Sequence, residues 1–328
     1  MQEVNYSKSQ AINSADTEHY IDPLTIPLST RFDIILKYLF VRVSEEYGKF
    51  EWCEELYSEH IRVFNNYVEN NSSGKVGKEV FLSSFMQVIE SIKENGYLDD
   101  ANSIPLGSAG IPLDGAHRIA ASIFFRERIR TKRSKEKEYL YDYKFFKARG
   151  LREEYSDQIG VEFCKLILTS FVVIVYPSAS GKDTEIEKCL EKSSAIFYRK
   201  DVNINENGSQ FLIRQVYSGE EWIGTNENGF AGAKNKASLC FRGQGPVRVF
   251  VVDSTLERMS KTKEEIRQLF NIGKHSIHIT DTQEESLRLS RVLLNYNSVH
   301  FMNCAKNICF RNFTAFLKKY KSSLECQG

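Results

Sequence analysis

The segment Pro112-Leu113-Asp114-Gly115-Ala116-His117-Arg118 brings an acid, a glycine, an imidazole and a guanidinium within five positions. Short apolar pieces precede it, and Ile119-Ala120-Ala121 continue it as a helix would. Acid and glycine ahead of a helix, with His and Arg in its first turn, suit phosphate binding. The free N–H groups and positive dipole end of a helix N-terminus attract anions. Gly115 lets backbone approach a ligand closely, and the amide of Ala116 falls in the first turn. Arg118 can fork two phosphate oxygens. His117 can donate to a phosphate or exchange a proton near neutral pH. Asp114 can hold a metal ion or take a proton from a hydroxyl. The plain alternative is a hairpin signal, Asp-Gly, followed by a solvated helical turn.

Three further groups have chemical potential. Tyr176-Pro-Ser-Ala-Ser-Gly-Lys-Asp-Thr184 follows an apolar run and precedes a helix, as a phosphate loop does. It lacks the first glycine and carries Asp183 at the hydroxyl position, so a strand-to-helix turn is the better reading. Gly229-Phe-Ala-Gly232-Ala-Lys234-Asn-Lys236 combines glycines with two lysines, and suits either an anion clamp or a mobile surface loop. His275-x-x-His278-x-x-Asp281 places His278 on the outward face of a short strand and Asp281 at its carboxyl end. With His300 on a proposed next strand, two or three of these groups can meet as a metal or acid–base site; otherwise they cap a helix and dot a sheet surface. Lys234, Lys236, His278 and Asp281 are the candidates for binding an acceptor.

The string Asp114-Gly115-Ala116-His117-Arg118 resembles the ParB/sulfiredoxin superfamily, whose members carry a strand–Gly–x–(His or Arg)–Arg–helix segment that binds nucleotide phosphates. The form here looks most like the branch holding sulfiredoxin and the free-serine kinases. The preceding Phe81–Leu98 stretch is similar to the helix before the motif in that family. The resemblance spans roughly residues 78–180. It implies Asp114, Gly115, His117 and Arg118 as the phosphate-binding and catalytic group; a phosphotransferase built on them would take ATP as nucleotide and Mg²⁺ at Asp114. Sulfiredoxin has a reactive cysteine in this loop where the present chain has Ala116, which speaks against sulfinic-acid repair. A second, looser likeness links Gly273–Ser286 to proteins encoded with surface-polysaccharide genes.

The elements that must position these residues can be read from periodicity. Phe32, Ile35, Leu36, Leu39 and Val43 form one helical stripe, with Ser29 or Thr30 as the cap. Amphipathic stretches follow at 52–68 and 78–94, the latter with Phe81, Phe85, Val88 and Ile92 on one face. Residues 70–77 read as a turn, 104–113 as a tight hairpin, and 116–125 as a helix. The run 126–138 holds seven basic and three acidic residues and reads as a solvated helix face or loop. Helical sequence returns over 142–168. The buried strand 170–177, a helix at 184–191, a strand at 195–204 and an Asn207-Gly208 turn come next. Strands at 247–252, 276–280 and 299–302 alternate with helices opened by the capping boxes Thr262-x-x-Glu265 and Thr282-x-x-Glu285. That alternation suggests a βαβ-type layer.

These elements give an α/β (α+β) chain in three parts: an N-terminal helical region (1–77), a ParB/sulfiredoxin-like nucleotide-binding core (78–185) and a C-terminal α/β domain with the βαβ layer (186–328). Among 328 residues, Lys+Arg number 44 and Asp+Glu 43, a net charge of +1 that argues against a nucleic-acid coat. No apolar run is long enough to span a bilayer, and the start does not read as a signal peptide. Seven scattered cysteines read as reduced thiols of a cytoplasmic protein, and Cys304-x4-Cys309 is a poor zinc pattern. The reading that unites these features is an ATP-dependent phosphotransferase acting on a small hydroxylated molecule, a sugar or glycan precursor being one class. Two others stay open: a ParB-like nucleotide switch with a DNA or protein partner, and a glycosyl- or nucleotidyltransferase with a C-terminal active site. Composition does not specify an oligomeric state.

Overall fold

The structure is a computed structural model and describes residues 18–48, 51–69, 74–98 and 103–305. It is a mixed α/β protein whose chain divides into two compact units, Met1–Arg152 and Glu153–Gly328. The breaks expected at 77/78 and 185/186 fall inside these units. Helices on either side of the first break pack together, and residue 185 lies within a helix.

The first unit runs β1 (His19–Ile21), α1 (Phe32–Tyr47), α2 (Glu51–Asn65), α3 (Lys78–Asn95), β2 (Ile104–Leu106), α4 (Ala116–Phe125), β3 (Ile129–Arg133) and α5 (Tyr143–Ala148). Its sheet has the order β1-β3-β2, with β3 antiparallel to β1 and parallel to β2. The crossover β2–α4–β3 is therefore a βαβ unit, and residues 112–118 stand at its strand-to-helix turn. Leu106 bridges Pro112 in antiparallel fashion, so the hairpin expected over 104–113 is reduced to one such bridge. Helix α1 packs on α2 and α4, and α3 packs on α2 and α4.

Several local expectations change in this unit. Ser29 and Thr30 do not cap α1; they lie in a 3-10 turn, and Arg31 takes the cap position without a side-chain bond there because its guanidinium is drawn to Asp33. On α3 the buried stripe is Phe81, Phe85, Ile89 and Ile92, with Val88 half-buried. The middle of the charged run is a strand and its two ends are loop: Ile129 and Thr131 alternate inward along the central strand β3, and Lys132 and Arg133 stay exposed. Alternation of two buried residues outweighs the charge density around them. Residues 70–73 of the expected 70–77 turn lie outside the described residues.

The second unit runs α6 (Glu153–Leu166), β4 (Ser170–Val175), α7 (Asp183–Ser193), β5 (Ala195–Val202), α8 (Glu206–Val216), α9 (Ala231–Cys240), β6 (Val247–Asp253), α10 (Leu256–Phe270), β7 (Ile277–Ile279), α11 (Gln283–Leu293) and α12 (Tyr296–Cys304). Its sheet has the order β5-β6-β4-β7, and every neighbouring pair is antiparallel. The βαβ-type layer takes the form of two interleaved split βαβ units. β4 and β5 run the same way with β6 between them, and β6 and β7 run the same way with β4 between them. This is the ferredoxin-like strand arrangement, with α8 and α9 inserted between its second and third strands. One face buries Phe171, Val173, Val175, Phe250, Val252, Ile277 and Ile279 against Ile186 and Leu190 of α7 and Met259 and Ile266 of α10. On the other face α6 and α11 pack on β4, and Phe163 of α6 stacks on Phe197 of β5 at 3.8 Å.

Four more expectations are corrected here. Asn207-Gly208 is no turn: Asn205 caps α8 by accepting from the Gly208 amide at 2.8 Å. The glycine-rich stretch at 229–236 is no loop, because α9 begins at Ala231. A Cβ on Gly232 would stand 1.8 Å from the Trp222 carbonyl oxygen, so that glycine serves close helix packing. Helix α10 opens at Thr255, about two turns before Thr262, whose buried hydroxyl lies 3.0 Å from the Arg258 carbonyl oxygen and 2.7 Å from Ser193 Oγ. The 299–302 segment lies within helix α12, capped by Asn295; a short apolar run alone does not separate strand from helix.

Thr282 does cap α11, accepting from the Glu285 amide at 3.1 Å. Thr282→Ala is expected to cost the second unit about 1 kcal/mol. Urea unfolding followed at Trp222 fluorescence measures it, and an unchanged midpoint contradicts the cap's contribution.

Candidate functional site

The motif turn is built from inside outward. Arg31 is almost fully buried and clamps Asp33 with two bonds, Nε to Oδ1 at 2.7 Å and Nη2 to Oδ2 at 2.8 Å. Its remaining arm, Nη1, donates to the carbonyl of Pro112. Lys37, one turn on, reaches Asp33 Oδ2 at 3.2 Å and His60 Nε2 at 3.0 Å. A buried charge cluster thus fastens the backbone that enters the motif.

Gly115 occupies the cap position of α4 in left-handed conformation, φ +79°, and no side chain caps the helix. A Cβ there would meet Ile104 Cγ1 at 3.0 Å and Arg118 Nη2 at 3.2 Å. The guanidinium of Arg118 therefore folds back over Gly115, at the end of the helix where first-turn amides lack side-chain acceptors. Arg118 Nη1 also reaches the Tyr97 hydroxyl at 3.4 Å. It lines a cavity of about 390 Å³ with Lys75, Ser84, Gln87, Ser91 and Tyr97. Ala116 is half-buried and Asp114 is exposed.

His117 sits deeper. Its Nε2 lies 2.9 Å from the Tyr57 hydroxyl, and its ring packs 4.4 Å from Phe85. Burial, followed by the charges of Lys37 and Lys75, drives its pKa well below the usual histidine range. It is neutral at physiological pH and offers hydrogen bonding rather than charge.

The other candidates all lie in the second unit. Lys182 Nζ donates to the Leu269 carbonyl at 2.8 Å, and Arg248 ties the turn by donating to the carbonyls of Tyr176 and Ala179. Asp183 pairs with Arg248 at 3.0 Å, so this is a braced strand-to-helix turn and no phosphate loop. Lys234 is exposed on α9 and lines a cavity of about 800 Å³ with Asn205, Ser209 and Phe241. Lys236 is buried, donates to the Lys274 carbonyl at 2.6 Å, and has its pKa lowered by burial. His278 and Asp281 line a separate cavity of about 460 Å³. The four acceptor candidates are therefore not one cluster. His275 stands 3.4 Å from Lys236 Nζ, and His300 stacks on Tyr296 along α12.

Among the described residues no group of three or more His, Cys, Asp or Glu side chains is placed to hold a metal ion alone. Cys53, Cys164 and Cys240 are buried free thiols, pushed by burial to pKa values of about 11, about 12 and about 12. Cys309 and Cys326 lie outside the described residues. No helix of the described residues is long and apolar enough to cross a membrane.

Sequence reasoning missed Arg31, Asp33, Lys37, His60 and Tyr57 around the motif, and Glu285 and Tyr217 beside His278. One signal was available: Asp33 and Lys37, spaced i to i+4, interrupt an otherwise apolar helix. Comparison of the chain with known protein families, with curated proteins and with solved structures finds no match in any of the three.

Proposed function

We propose that this protein is an ATP-dependent phosphotransferase acting on a small hydroxylated molecule, with the nucleotide phosphates held at the start of α4. The observation that carries this reading is the guanidinium of Arg118 folded over left-handed Gly115 at a helix N-terminus without a side-chain cap. Backbone donors, dipole and guanidinium then converge where an oxyanion fits. The βαβ setting adds support, since ligands of such units gather beyond the carboxyl ends of the strands.

In this reading the amides of Ala116 and its neighbours and the Arg118 fork bind phosphate oxygens. His117, kept neutral by burial, orients the first turn through Tyr57. Asp114 is an exposed single carboxylate beside the turn. That donor fits Mg²⁺, which is commonly held by one or two carboxylates together with phosphates and water. When bound, the ion would neutralise charge on the phosphates. Phosphoryl transfer asks mainly for positioning and charge neutralisation, which this residue set supplies.

The test is isothermal titration with ATP, CTP and sugar nucleotides on the wild type and Arg118→Ala. ATP is expected to bind the wild type, and the substitution to weaken it by roughly tenfold to a hundredfold, as loss of charge-assisted bonds of about 1.5–3 kcal/mol requires. Preference for CTP with DNA-dependent turnover would replace this reading by the nucleotide switch. Sugar-nucleotide binding indifferent to Arg118 would replace it by a transferase with its site in the second unit.

A further inference from the structure

We propose that the second unit carries a polyol-binding site of its own at Tyr217, His278 and Glu285, with the imidazole of His278 accepting a ligand hydroxyl. The assignment stands on that unit alone and does not depend on nucleotide binding in the first.

His278 pairs in register with Ile174 on β4, between two core residues of β7 that face α7 and α10. Alternation along the strand turns its side chain to the opposite face, towards α11. There Glu285 Oε1 stands 2.9 Å from His278 Nε2. Glu285 Oε2 accepts from the Asp281 amide at 2.9 Å, so the carboxylate is held by two donors in one orientation. A carboxylate in that place takes the Nε2–H and leaves Nδ1 with a lone pair. The contact to Glu285 uses Nε2 and not Nδ1, and His278 lines the 460 Å³ cavity. The imidazole held by Glu285 is thus part of the cavity wall.

The wall of that space identifies the class of ligand. Four lysine or arginine side chains line it, Lys263 and Arg288 among them, against four carboxylates that include Asp281 and Glu284. The formal charges cancel, so the wall carries no net positive charge to favour a free phosphate. It offers donors and acceptors in alternation instead: Lys263, for example, stands 3.3 Å from Asp281. Hydroxyl groups donate and accept at once, and adjacent hydroxyls suit such an alternation. One aromatic side chain, Tyr217, belongs to that wall. The Tyr217 ring meets His278 edge-on at 5.3 Å, and Trp222, 46% exposed, lies 5.0 Å from Tyr217. Trp222 lines the adjoining cavity with Gly219, Glu220 and Glu221, so the Tyr217 ring is the apolar surface that can meet the C–H face of a ligand ring, and the indole beside it reports on that ring.

The experiment uses the full chain with Trp52→Phe, which leaves Trp222 as the sole tryptophan. Methyl α-glucopyranoside, myo-inositol and inorganic phosphate are titrated separately, reading Trp222 fluorescence and the His278 imidazole resonances by NMR. One polyol at least is expected to give saturable changes in both signals with a millimolar Kd. His278→Gln is expected to weaken it by up to about tenfold, the loss of one well-made hydrogen bond. Should that variant not fold, the isosteric Glu285→Gln, which releases the imidazole orientation, is expected to weaken binding in the same direction. The absence of a saturable change with either polyol overturns the proposal. So does a response to inorganic phosphate alone, which would make the cavity an anion site. Neither result alters the Arg118 test in the first unit.

Discussion

Asp33→Asn is expected to destabilise the first unit by about 3–5 kcal/mol, the cost of removing one partner from a buried ion pair. Asp33 is the counter-charge for two buried cations, Arg31 and Lys37. Asparagine preserves the shape and leaves both cations without that charge. Burial by itself opposes ionisation of Asp33, but Arg31 and Lys37 together outweigh it and hold the carboxyl well below the usual carboxylate range. The pH dependence follows from that sign. A carboxyl depressed in the fold stabilises fully above its unfolded pKa of about 3.9 and loses this contribution as pH falls further. The gap between wild type and variant is therefore expected to hold at neutral pH and to shrink below about pH 4. His60 and His117 add an earlier loss. Burial lowers both well below the usual histidine range, so as pH falls below about 6.5 the unfolded chain gains protons that the folded unit does not. Urea unfolding at a series of pH values, followed at Trp52, measures these effects. A variant within about 0.5 kcal/mol of wild type at pH 7 would show that the cluster is not the clamp described.

Phe85→Ala is expected to cost the same unit about 3–5 kcal/mol. Phe85 is fully buried, with ring centres of Phe40 at 5.1 Å, Tyr57 at 5.2 Å and His117 at 4.4 Å. Its removal takes away the dispersion contacts of three rings and opens a cavity beside the imidazole. The consequence reaches the motif, because the dryness of that place keeps His117 neutral. Water admitted next to the ring relieves the desolvation and moves the His117 pKa up towards the ordinary range. NMR titration of the imidazole in the variant is the measurement. A large stability loss with an unmoved His117 pKa would assign the low value to the neighbouring lysines rather than to burial.

The sequence alone located α4 to the residue, because Gly115 breaks the chain ahead of an unbroken run from Ala116 to Phe125 with apolar residues in its last two turns. Long amphipathic stripes in α1 and α3 were equally plain, since a 3.6-residue period leaves a strong local trace. Short apolar pieces were not. The run at 299–302 suits a strand or one face of a helix, and only packing chose the helix. Likewise the glycines at 229–232 suggest mobility until the Trp222 carbonyl shows why no Cβ fits. Strand order left no local mark at all: the same alternation of helix and strand serves adjacent parallel strands or the split arrangement found in the second unit. The partners of the chemistry were hidden for the same reason. Arg31 meets Pro112 across 81 positions and Tyr57 meets His117 across 60, so which charges become buried, and which imidazoles stay neutral, was decided by tertiary packing.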